Sequence, residues 1–365
     1  MADRFDVAVI GAGIAGLAAA RALAQAGRRV LVLERGTPWG EASAAAAGML
    51  APQIEAHADD GLLPLGLAAR DRYSTLADEF AAEGFDIGHA ARGILHVAFD
   101  EARESELKAR HDAQRALGLD AAWLSGPALR RLHGVAGNAR GALLAPRDGS
   151  VDSVALGRAM LAGASAAGVV LVNEEVCEIM SRGGRVTGVS GAVTSYAADR
   201  VALAAGAWAG TIAGVPRGIP VEPVRGQMAA MPWPDGERES VLYCDDGYLV
   251  PRGGEALVGS TMEHVGFEKG TTDDGLERLR GAAKKLLPAL DGVPFARTWS
   301  GLRPMTPDGL PILGFDPDLE GLIYATGHGR NGILLGPLTG EIVRDLVVRG
   351  KTAWDIAGYA IARFI

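Results

Sequence analysis

The glycines near the N-terminus carry the clearest chemical signal in the sequence. Gly11, Gly13 and Gly16 have the spacing G-x-G-x-x-G; the first permits a tight turn, the second lets backbone approach a pyrophosphate, and the third lets a helix pack closely on a strand. Glu34 lies 18 residues after Gly16 (34 − 16), where a carboxylate accepts hydrogen bonds from ribose hydroxyls and disfavours a 2′-phosphate. The spacing therefore predicts a site for NAD or FAD; the alternative is a glycine-rich turn without a ligand.

A second glycine pattern lies near the C-terminus and helps to separate FAD from NAD. Gly327, Gly329 and Gly332 repeat the spacing before an apolar helix predicted over residues 333–348. No convincing strand or acid follows that helix, so the segment does not form a second nucleotide-binding unit. A glycine-lined helix start offers N–H donors to the negative charge of a reduced flavin. One nucleotide site and one such helix start favour a single FAD, with a plain turn before a packing helix as the alternative.

The elements around these glycines are those of an α/β protein. An apolar strand over 6–10, a helix over 17–26 and a second strand over 29–33 enclose the first pattern in a complete β–α–β unit. A further strand over 322–325 precedes the second pattern. Other short strands are predicted over 221–231, 247–251 and 256–260.

Composition limits the partners and the location of the protein. The 365 residues are 48% hydrophobic and 22% charged, with a formal net charge of −8 and no dense Lys/Arg run, which argues against nucleic-acid binding. Neither the two cysteines, Cys177 and Cys244, nor the seven histidines show metal-ligand spacing, so we expect no metal. Because no apolar run approaches roughly 18–20 residues and no signal peptide is evident, we expect a cytoplasmic protein that does not bind membranes.

Several segments of the sequence together resemble one enzyme family. They are the N-terminal β–α–β unit, ASAAAAGMLAP at 42–52, YLVPR at 248–252, VGSTME at 258–263, WSGLRPMTPDG at 299–309 and ATGHGRNG at 325–332. This combination resembles the D-amino-acid oxidase (DAO) family of FAD-dependent oxidoreductases, and within it the branch of glycine oxidases of the thiamine-biosynthesis type. The matching segments run from about residue 5 to residue 340, so the resemblance covers nearly the whole chain.

The resemblance implies two domains that are interleaved in sequence. An FAD-binding domain takes residues 1–84, 141–220 and 298–365, and a smaller α+β substrate-binding domain takes 85–140 and 221–297. We therefore expect an α/β fold in which a Rossmann-like FAD-binding domain is interleaved with a smaller domain built on a mixed antiparallel sheet.

The resemblance also implies a substrate site. Arg303 matches the arginine that binds the substrate carboxylate, to which a guanidinium can donate two parallel hydrogen bonds. The alternative is that Arg303 forms an ion pair at the surface. Tyr248 matches the tyrosine whose hydroxyl completes carboxylate binding, with a core aromatic as the alternative. Arg330 and Met262 match positions that line the same pocket, although Arg330 also suits a cation beside the flavin and Met262 also suits core packing.

Some members of the resembled family bind the flavin covalently through a cysteine in the C-terminal half of the chain, but here we expect FAD to be bound without a covalent bond. No cysteine lies in the C-terminal helix region, and Cys244 falls in the expected substrate domain. Glu34 and Arg35 are expected at the adenosine end, and Met49 near the flavin ring. His328 adjoins the flavin, although a lone loop histidine is weak evidence for proton chemistry. The full set of expected FAD-binding residues is Gly11, Gly13, Ile14, Ala15, Gly16, Glu34, Arg35, Ala42, Ser43, Ala47, Gly48, Met49, Val176, His328, Gly329, Arg330, Asn331, Gly332, Ile333 and Leu334.

No catalytic acid–base pair is evident in the sequence. We therefore hypothesise that the enzyme positions the Cα–H of a small amino acid or amine with a carboxylate, such as glycine, sarcosine or a small D-amino acid, for hydride transfer to the flavin. The resulting imine hydrolyses to an oxo acid and ammonia, and O2 is reduced to hydrogen peroxide.

Two other functions remain open at this point. A D-amino-acid or glycine dehydrogenase passes its electrons to an acceptor other than oxygen, and no short motif distinguishes it from an oxidase. A flavin-binding protein that senses or modifies a macromolecule is disfavoured by the carboxylate grip expected of Arg303 and Tyr248. The resemblance further suggests a homotetramer and a place in thiamine biosynthesis.

Overall fold

A computed structural model describes residues 4–55, 61–135 and 137–364 of the chain. The strands in these residues are β1 (Arg4–Ile10), β2 (Val30–Glu34), β3 (Met49–Leu50), β4 (Ile94–Ala98), β5 (Ala122–Ser125), β6 (Gly141–Ala145), β7 (Gly149–Ser150), β8 (Val170–Asn173), β9 (Val176–Arg182), β10 (Arg185–Gly191), β11 (Ser195–Leu203), β12 (Glu222–Pro232), β13 (Val241–Cys244), β14 (Gly247–Arg252), β15 (Glu255–Gly259), β16 (Arg297–Met305), β17 (Ile312–Phe315) and β18 (Leu322–Thr326). The α-helices are α1 (Ile14–Gln25), α2 (Ala42–Ala45), α3 (Pro52–Glu55), α4 (Leu63–Ala82), α5 (Glu101–Ala116), α6 (Gly126–His133), α7 (Ser153–Ala166), α8 (Asp273–Leu286) and α9 (Gly332–Arg349). Short 3-10 helices occur at Gly206–Thr211, Pro288–Leu290, Gly329–Asn331, Ala357–Tyr359 and Ile361–Phe364. None of the helices in this described part is long and apolar enough to cross a membrane.

The first sheet is built on the predicted β–α–β unit. Its strand order is β17-β18-β11-β1-β2-β8, and β1 lies parallel to both β2 and β11. The antiparallel strands β10 and β9 extend from β11. Because β1, β2, β11 and β18 run in the same direction, their carboxyl ends meet at one edge, which is where ligands bind in such folds. The glycine turn after β1 opens at this edge.

Small residues let α9 approach α1 closely on one face of this sheet. A Cβ on Gly336 would lie 2.7 Å from Ile14 Cγ2, and one on Gly340 would lie 2.5 Å from the carbonyl carbon of Ala18. Since residue numbers increase together along both helices, α1 and α9 run parallel and begin at the same edge of the sheet. The two helices share one apolar core with the sheet. The packing therefore places both helix N-termini, and both glycine patterns, side by side.

The second sheet contains the strands predicted in the middle of the chain. Its order is β16-β12-β15-β14-β13-β4-β6-β5, and its neighbours are antiparallel except for the parallel pair β13 and β4. Helix α8 packs Leu279, Ala283 and Leu286 against Leu249 and Val258 of this sheet. With its two mixed sheets, the chain has the predicted α/β fold.

The predicted domain boundaries do not coincide with the edges of the two sheets. Strands β6 and β16 pair within the second sheet, although the prediction places residues 141–145 and 298–305 in the FAD-binding domain. Strand β16 runs along almost the whole of β12, from Glu222 opposite Met305 to Ala230 opposite Arg297, and local sequence does not reveal such long-range pairing. The division into two domains stays a prediction.

Candidate active site

A cleft of about 1620 Å³, counting its open mouth, joins the two sheets. One part of its wall is the turn after β1 and the start of α1, with Gly11 and Ile14. Another part comes from β12, β14 and β16, with Met228, Tyr248 and Arg303. The cleft thus brings the residues predicted to bind the nucleotide and those predicted to bind the substrate into one continuous space.

The glycine turn after β1 forms the nucleotide end of this cleft. Gly11 has a φ of +97°, and a Cβ there would lie 2.6 Å from the Ala204 carbonyl oxygen, while a Cβ on Gly16 would lie 2.0 Å from the Gly11 carbonyl oxygen. The backbone itself therefore requires glycine at both positions. A Cβ on Gly13 would meet only Ser43 Oγ, at 3.6 Å. Gly13 thus leaves open space at the start of α1, where the helix dipole favours a phosphate.

Glu34 and Ser43 fix the backbone on either side of this turn. Glu34 Oε2 accepts a hydrogen bond from the Ala12 N–H at 2.8 Å, and its Oε1 accepts one from the Gly36 N–H at 2.9 Å. Ser43 Oγ accepts a hydrogen bond from the Ile14 N–H at 3.1 Å. Each carboxylate oxygen can accept a second hydrogen bond, so these contacts are compatible with the ribose contact predicted for Glu34.

Arg303 lies on β16 at the other end of the cleft. Its Nη1 donates to the Thr261 carbonyl at 3.0 Å and its Nη2 donates to Ser260 Oγ at 2.5 Å. A Cβ on Gly226 of β12 would lie 2.2 Å from Nη1, so this glycine makes the room that the guanidinium occupies. No carboxylate of the described chain comes within 4.0 Å of it, and burial lowers the pKa of Arg303. A desolvated cation without an acidic partner is suited to binding an anion.

Tyr248 lies on β14 next to Arg303. The side chain is only 7% exposed, and its hydroxyl lies 3.4 Å from Met228 Sδ. Burial is the largest influence on the pKa of Arg303 and lowers it, and the neighbouring Tyr248 acts in the opposite direction. A Cβ on Gly259 would lie 2.4 Å from the Tyr248 oxygen, so a second glycine makes room for the phenol. The predicted pair of carboxylate-binding side chains is therefore adjacent in the structure.

Arg330 lines the same end of the cleft but is already paired with an acid. Its Nη2 donates to Glu55 Oε1 at 2.7 Å and to the Tyr243 hydroxyl at 3.3 Å. The Glu55 carboxylate is the main cause that raises the pKa of Arg330. The side chains of Arg330 and Glu55 are 35% and 15% exposed, so the pair faces the cleft. The two arginines of the site therefore differ: one has an acidic partner and the other has none.

His328 anchors the second glycine pattern to α9. It is 4% exposed, and its Nε2 shares a hydrogen bond with Thr339 Oγ1 at 3.0 Å. Burial lowers the pKa of His328 to about 4, so the ring is neutral at pH 7. His328 therefore fixes the position of the loop and adds no charge to the cleft.

Most of the residues predicted to contact FAD line the cleft. They are Gly11, Gly13, Ile14, Ala15, Glu34, Arg35, Ala42, Ser43, Ala47, Gly48, Met49, Val176, His328, Gly329, Arg330, Gly332 and Ile333. Gly16, Asn331 and Leu334 adjoin these residues in sequence but are not part of the wall. Met262, predicted to line the substrate pocket, is 44% exposed and is not among the residues that line the cleft. The individual contacts with FAD and substrate stay predictions.

Several wall residues were not identified from the sequence. Glu55, Gly226, Met228 and Ser260 all line the cleft. Ser260 lies within the segment 258–263 that carries the family resemblance, and Glu55 lies three positions after the end of the segment 42–52. The sequence motifs therefore lie at or next to these two residues. Gly226 and Met228 lie in a predicted strand, and nothing in their residue types indicates chemistry.

An aromatic and charged cluster is also present beside the nucleotide end. Arg35 lies over the Trp208 ring, with its guanidinium carbon 3.8 Å from the ring centroid. Phe267 stacks on the same ring at 5.4 Å, and Lys269 pairs with Glu41 at 2.6 Å. Residues after β15 therefore reach across to the elements that hold the glycine turn.

Comparison with known proteins agrees with this geometry. The family model described as FAD dependent oxidoreductase (DAO) matches residues 6–346. The glycine oxidase of Geobacillus kaustophilus is 37% identical, over 100% of this chain and 98% of the relative, and the bifunctional protein ThiO/ThiG of Synechocystis is 35% identical, over 99% of this chain and 54% of that protein. A crystal structure of the Geobacillus kaustophilus glycine oxidase matches with a TM-score of 0.95 and 35% identity, covering 99% of both chains. That of iminodiacetate oxidase from a Chelativorans species matches with a TM-score of 0.86 and 29% identity, covering 97% of this chain and 98% of the other.

The cleft fits the cofactor that this family name specifies. Gly13 leaves space for a pyrophosphate where any side chain would intrude, and Glu34 lines the wall beyond it. From there the same cleft continues to the N-terminus of α9, at Gly332 and Ile333, whose dipole suits the flavin end. On the family match, the full-length relatives and this fit, the chain belongs to the DAO family of FAD-dependent oxidoreductases.

Proposed function

We propose that the protein oxidises glycine, or a similar small amino acid or amine with a carboxylate such as sarcosine or a small D-amino acid, with FAD as cofactor and O2 as acceptor. The products are hydrogen peroxide and an imine, which water hydrolyses to an oxo acid and ammonia, or to an oxo acid and methylamine when sarcosine is the substrate. The observation that carries this proposal is Arg303, a cation without an acidic partner that lies beside Tyr248 in the cleft of the glycine turn. The relatives named glycine oxidase support the same substrate class.

The side chains of the cleft bind and orient the substrate. Arg303 and Tyr248 bind the carboxylate, while Ser260 Oγ and the Thr261 carbonyl hold the guanidinium in place. Holding the carboxylate at one point fixes the Cα–H relative to the rest of the cleft, and such positioning lowers the barrier to reaction. FAD, when bound, supplies the two-electron acceptor.

Two side chains of the site that could accept a proton already make other contacts. His328 Nε2 is hydrogen-bonded to Thr339, and the Glu55 carboxylate is paired with Arg330. We infer that the protein positions the Cα–H for direct transfer without a protein base. A variant of another residue that loses turnover, keeps its affinity for substrate and changes the pH dependence of turnover would contradict this inference.

The cysteines support non-covalent binding of FAD. Cys244 is buried on β13 and Cys177 is exposed, and neither lines the cleft. We expect denaturation in acid to release all of the flavin into the supernatant. Flavin that stays with the precipitated protein would contradict non-covalent binding.

Reduction of the flavin by substrate is the direct test of the function. We expect glycine or sarcosine, added without oxygen to the purified holoenzyme, to bleach the flavin absorbance, and air to restore the colour with release of hydrogen peroxide. D-Alanine completes the series. Bleaching that air does not reverse would identify a dehydrogenase that uses another acceptor. No bleaching by any of the three would place the substrate outside small amino acids.

The variant Arg303→Ala tests the residue that carries the proposal. Loss of charge-assisted hydrogen bonds of about 1.5–3 kcal/mol is expected to raise KM for glycine by about 10- to 100-fold. Arg297→Ala is the matched control, because Arg297 lies on the same strand and is half exposed in a surface pair with Glu255. A normal KM in Arg303→Ala would remove Arg303 from the substrate site.

We also propose that the protein is a cytoplasmic homotetramer that serves thiamine biosynthesis and binds neither nucleic acid nor membranes. The resemblance to glycine oxidases of the thiamine-biosynthesis type supports the assembly and the pathway, and the net charge of −8 supports the absence of nucleic acid. Light scattering of the purified holoenzyme measures the mass directly. A mass of one chain would contradict the tetramer.

A further inference from the structure

The two arginines at the substrate end give the cleft an uneven distribution of charge. Arg303 has only neutral acceptors, at Ser260 and Thr261. Arg330 lies 2.7 Å from the Glu55 carboxylate. The three charged side chains therefore sum to a single positive charge, and that charge lies at Arg303.

Glu55 is held in place by a buried network behind the cleft. It is the last residue of α3, and the N–H groups of Gln53 and Ile54 in that helix donate to Asp148 Oδ2 at 3.0 and 3.1 Å. Asp148 is fully buried and is also paired with Arg70 at 2.9 Å. The short helix is thus fixed to the protein core. Its carboxylate consequently stays on the cleft wall, where Arg330 reaches it.

We propose that Glu55 is a specificity-determining residue that restricts the site to amines with one carboxylate. The inference rests on the proposed function, because it assumes that Arg303 binds the carboxylate of the reacting amino acid. Among the described residues that line this end of the cleft, Arg330 is the only cation besides Arg303. Glu55 neutralises the charge of Arg330 through their ion pair. A substrate with a second carboxylate therefore meets an ion pair with no net charge, in which the Glu55 carboxylate is only 2.7 Å from Arg330.

The energetic reason is the cost of an unpaired charge in a desolvated site. A second carboxylate loses its water on entering the cleft, and it needs a cation or several donors in return. Arg330 already donates to Glu55 and Tyr243, while the Glu55 oxygens repel a nearby anion. Replacing Glu55 with glutamine removes the repulsion and frees the charge of Arg330 at almost unchanged side-chain volume.

Sarcosine and iminodiacetate form the matched substrate pair for this proposal. Both are N-substituted glycines, and they differ by one carboxylate on the N-methyl carbon. We expect Glu55→Gln to raise the ratio of kcat/KM for iminodiacetate to that for sarcosine by about tenfold or more. Glu106→Gln is the control, since Glu106 is an exposed partner of Arg103 on α5, and its ratio is expected to match the wild type. An active Glu55→Gln enzyme with the wild-type ratio would overturn the proposal.

Binding of ligands that do not react gives an independent measurement. Acetate and malonate also differ by one carboxylate, and their dissociation constants follow from the change in flavin absorbance of the holoenzyme. We expect the affinity for malonate relative to acetate to rise in Glu55→Gln and to fall in Arg330→Gln, where Glu55 loses its partner. Equal ratios in wild type and in both variants would overturn the proposal, even if one of the variants is inactive.

The two measurements separate this inference from the proposed function. If no small amino acid reduces the wild-type flavin, the proposed function fails. The ratio of malonate to acetate affinity then still decides whether the Glu55 charge selects against a second carboxylate. If sarcosine reduces the flavin and neither ratio changes in the variants, only the role of Glu55 fails.

Discussion

Replacing Gly226 with alanine tests whether the space beside Arg303 sets the affinity for substrate. The new Cβ would lie 2.2 Å from Nη1, 2.3 Å from Nη2 and 2.5 Å from Cζ of Arg303, well inside the contact distance of about 3.5 Å for such atoms. The guanidinium must therefore leave its position. Gly226 is not among the residues with positive φ, so alanine at this point of β12 adds no backbone strain of its own.

The size of the effect follows from the hydrogen bonds that a displaced guanidinium loses. A hydrogen bond to a charged group contributes about 1.5–3 kcal/mol, and each 1.4 kcal/mol corresponds to about a tenfold change in affinity. We therefore expect Gly226→Ala to raise KM for sarcosine by about 10- to 100-fold. Stability should also fall, by about 1.5–3 kcal/mol for each of the bonds from Arg303 to Ser260 and Thr261 that water does not replace.

Steady-state kinetics combined with a double-mutant cycle provide the assay. Gly226→Ala should add little to the KM of Arg303→Ala, because the second substitution removes the group that the first displaces. Gly281→Ala on α8 is the control, since a Cβ there meets nothing within 4 Å. A folded Gly226→Ala enzyme with the wild-type KM, or with an effect fully additive to that of Arg303→Ala, would refute the reasoning.

The nucleotide end of the cleft and the buried histidine give three further predictions. Gly13→Ala should weaken FAD binding by tenfold or more. The unfolding free energy of the apoprotein should stay within about 0.5 kcal/mol of the wild type, because the new Cβ meets only Ser43 Oγ at 3.6 Å. Fluorescence titration of the apoprotein with FAD measures the affinity, and an unchanged affinity would contradict the prediction. Gly16→Ala should prevent folding, because its Cβ would lie 2.0 Å from the Gly11 carbonyl oxygen; a normal thermal transition contradicts it. The buried His328 has a pKa of about 4 against 6.5 for a free histidine, so the unfolded chain alone takes up a proton between these values. The contribution of neutral His328 to the unfolding free energy is then fully present above pH 6.5, and about 2 kcal/mol of it is lost by pH 5. Urea unfolding at both pH values should show a smaller loss of stability in His328→Asn than in the wild type. An equal loss in the two proteins would show that His328 is not its cause.

Local chemistry made the glycine turn and its flanking strands predictable. Strand β1 covers the predicted segment 6–10, β2 is shifted by one residue from the predicted segment 29–33, and α1 ends within one residue of the prediction. The sequence pattern predicts the start of α1 at residue 17, three residues too late, because Gly16 belongs to the glycine spacing that is typical of a turn. In the structure Gly16 lies inside the first turn of the helix, where the absence of a Cβ allows the contact with Gly11. A glycine that is unfavourable for an isolated helix is therefore required by the packing of this one.

The charge pattern of the substrate end could not be predicted from the sequence. Glu55 and Arg330 are 275 positions apart in the chain, and only the tertiary structure brings the end of α3 next to the turn that precedes α9. Gly226 and Arg303 meet through the pairing of β12 with β16. The resemblance places both arginines in one pocket, Arg303 as the residue that binds the carboxylate and Arg330 as a lining residue or a cation beside the flavin. Only the contacts of the folded chain show which of them has an acidic partner.

The difference between the two arginines bears on how the site binds its substrate. A guanidinium has five N–H donors, and the neutral acceptors at Ser260 and Thr261 engage two nitrogens of Arg303 without offsetting its charge. The protein thus fixes the orientation of Arg303 and leaves its charge to be balanced by a ligand. Arg330, by contrast, is balanced by Glu55 before any ligand arrives. Since a carboxylate gains most where a desolvated positive charge is still unmatched, a ligand with one carboxylate should bind at Arg303.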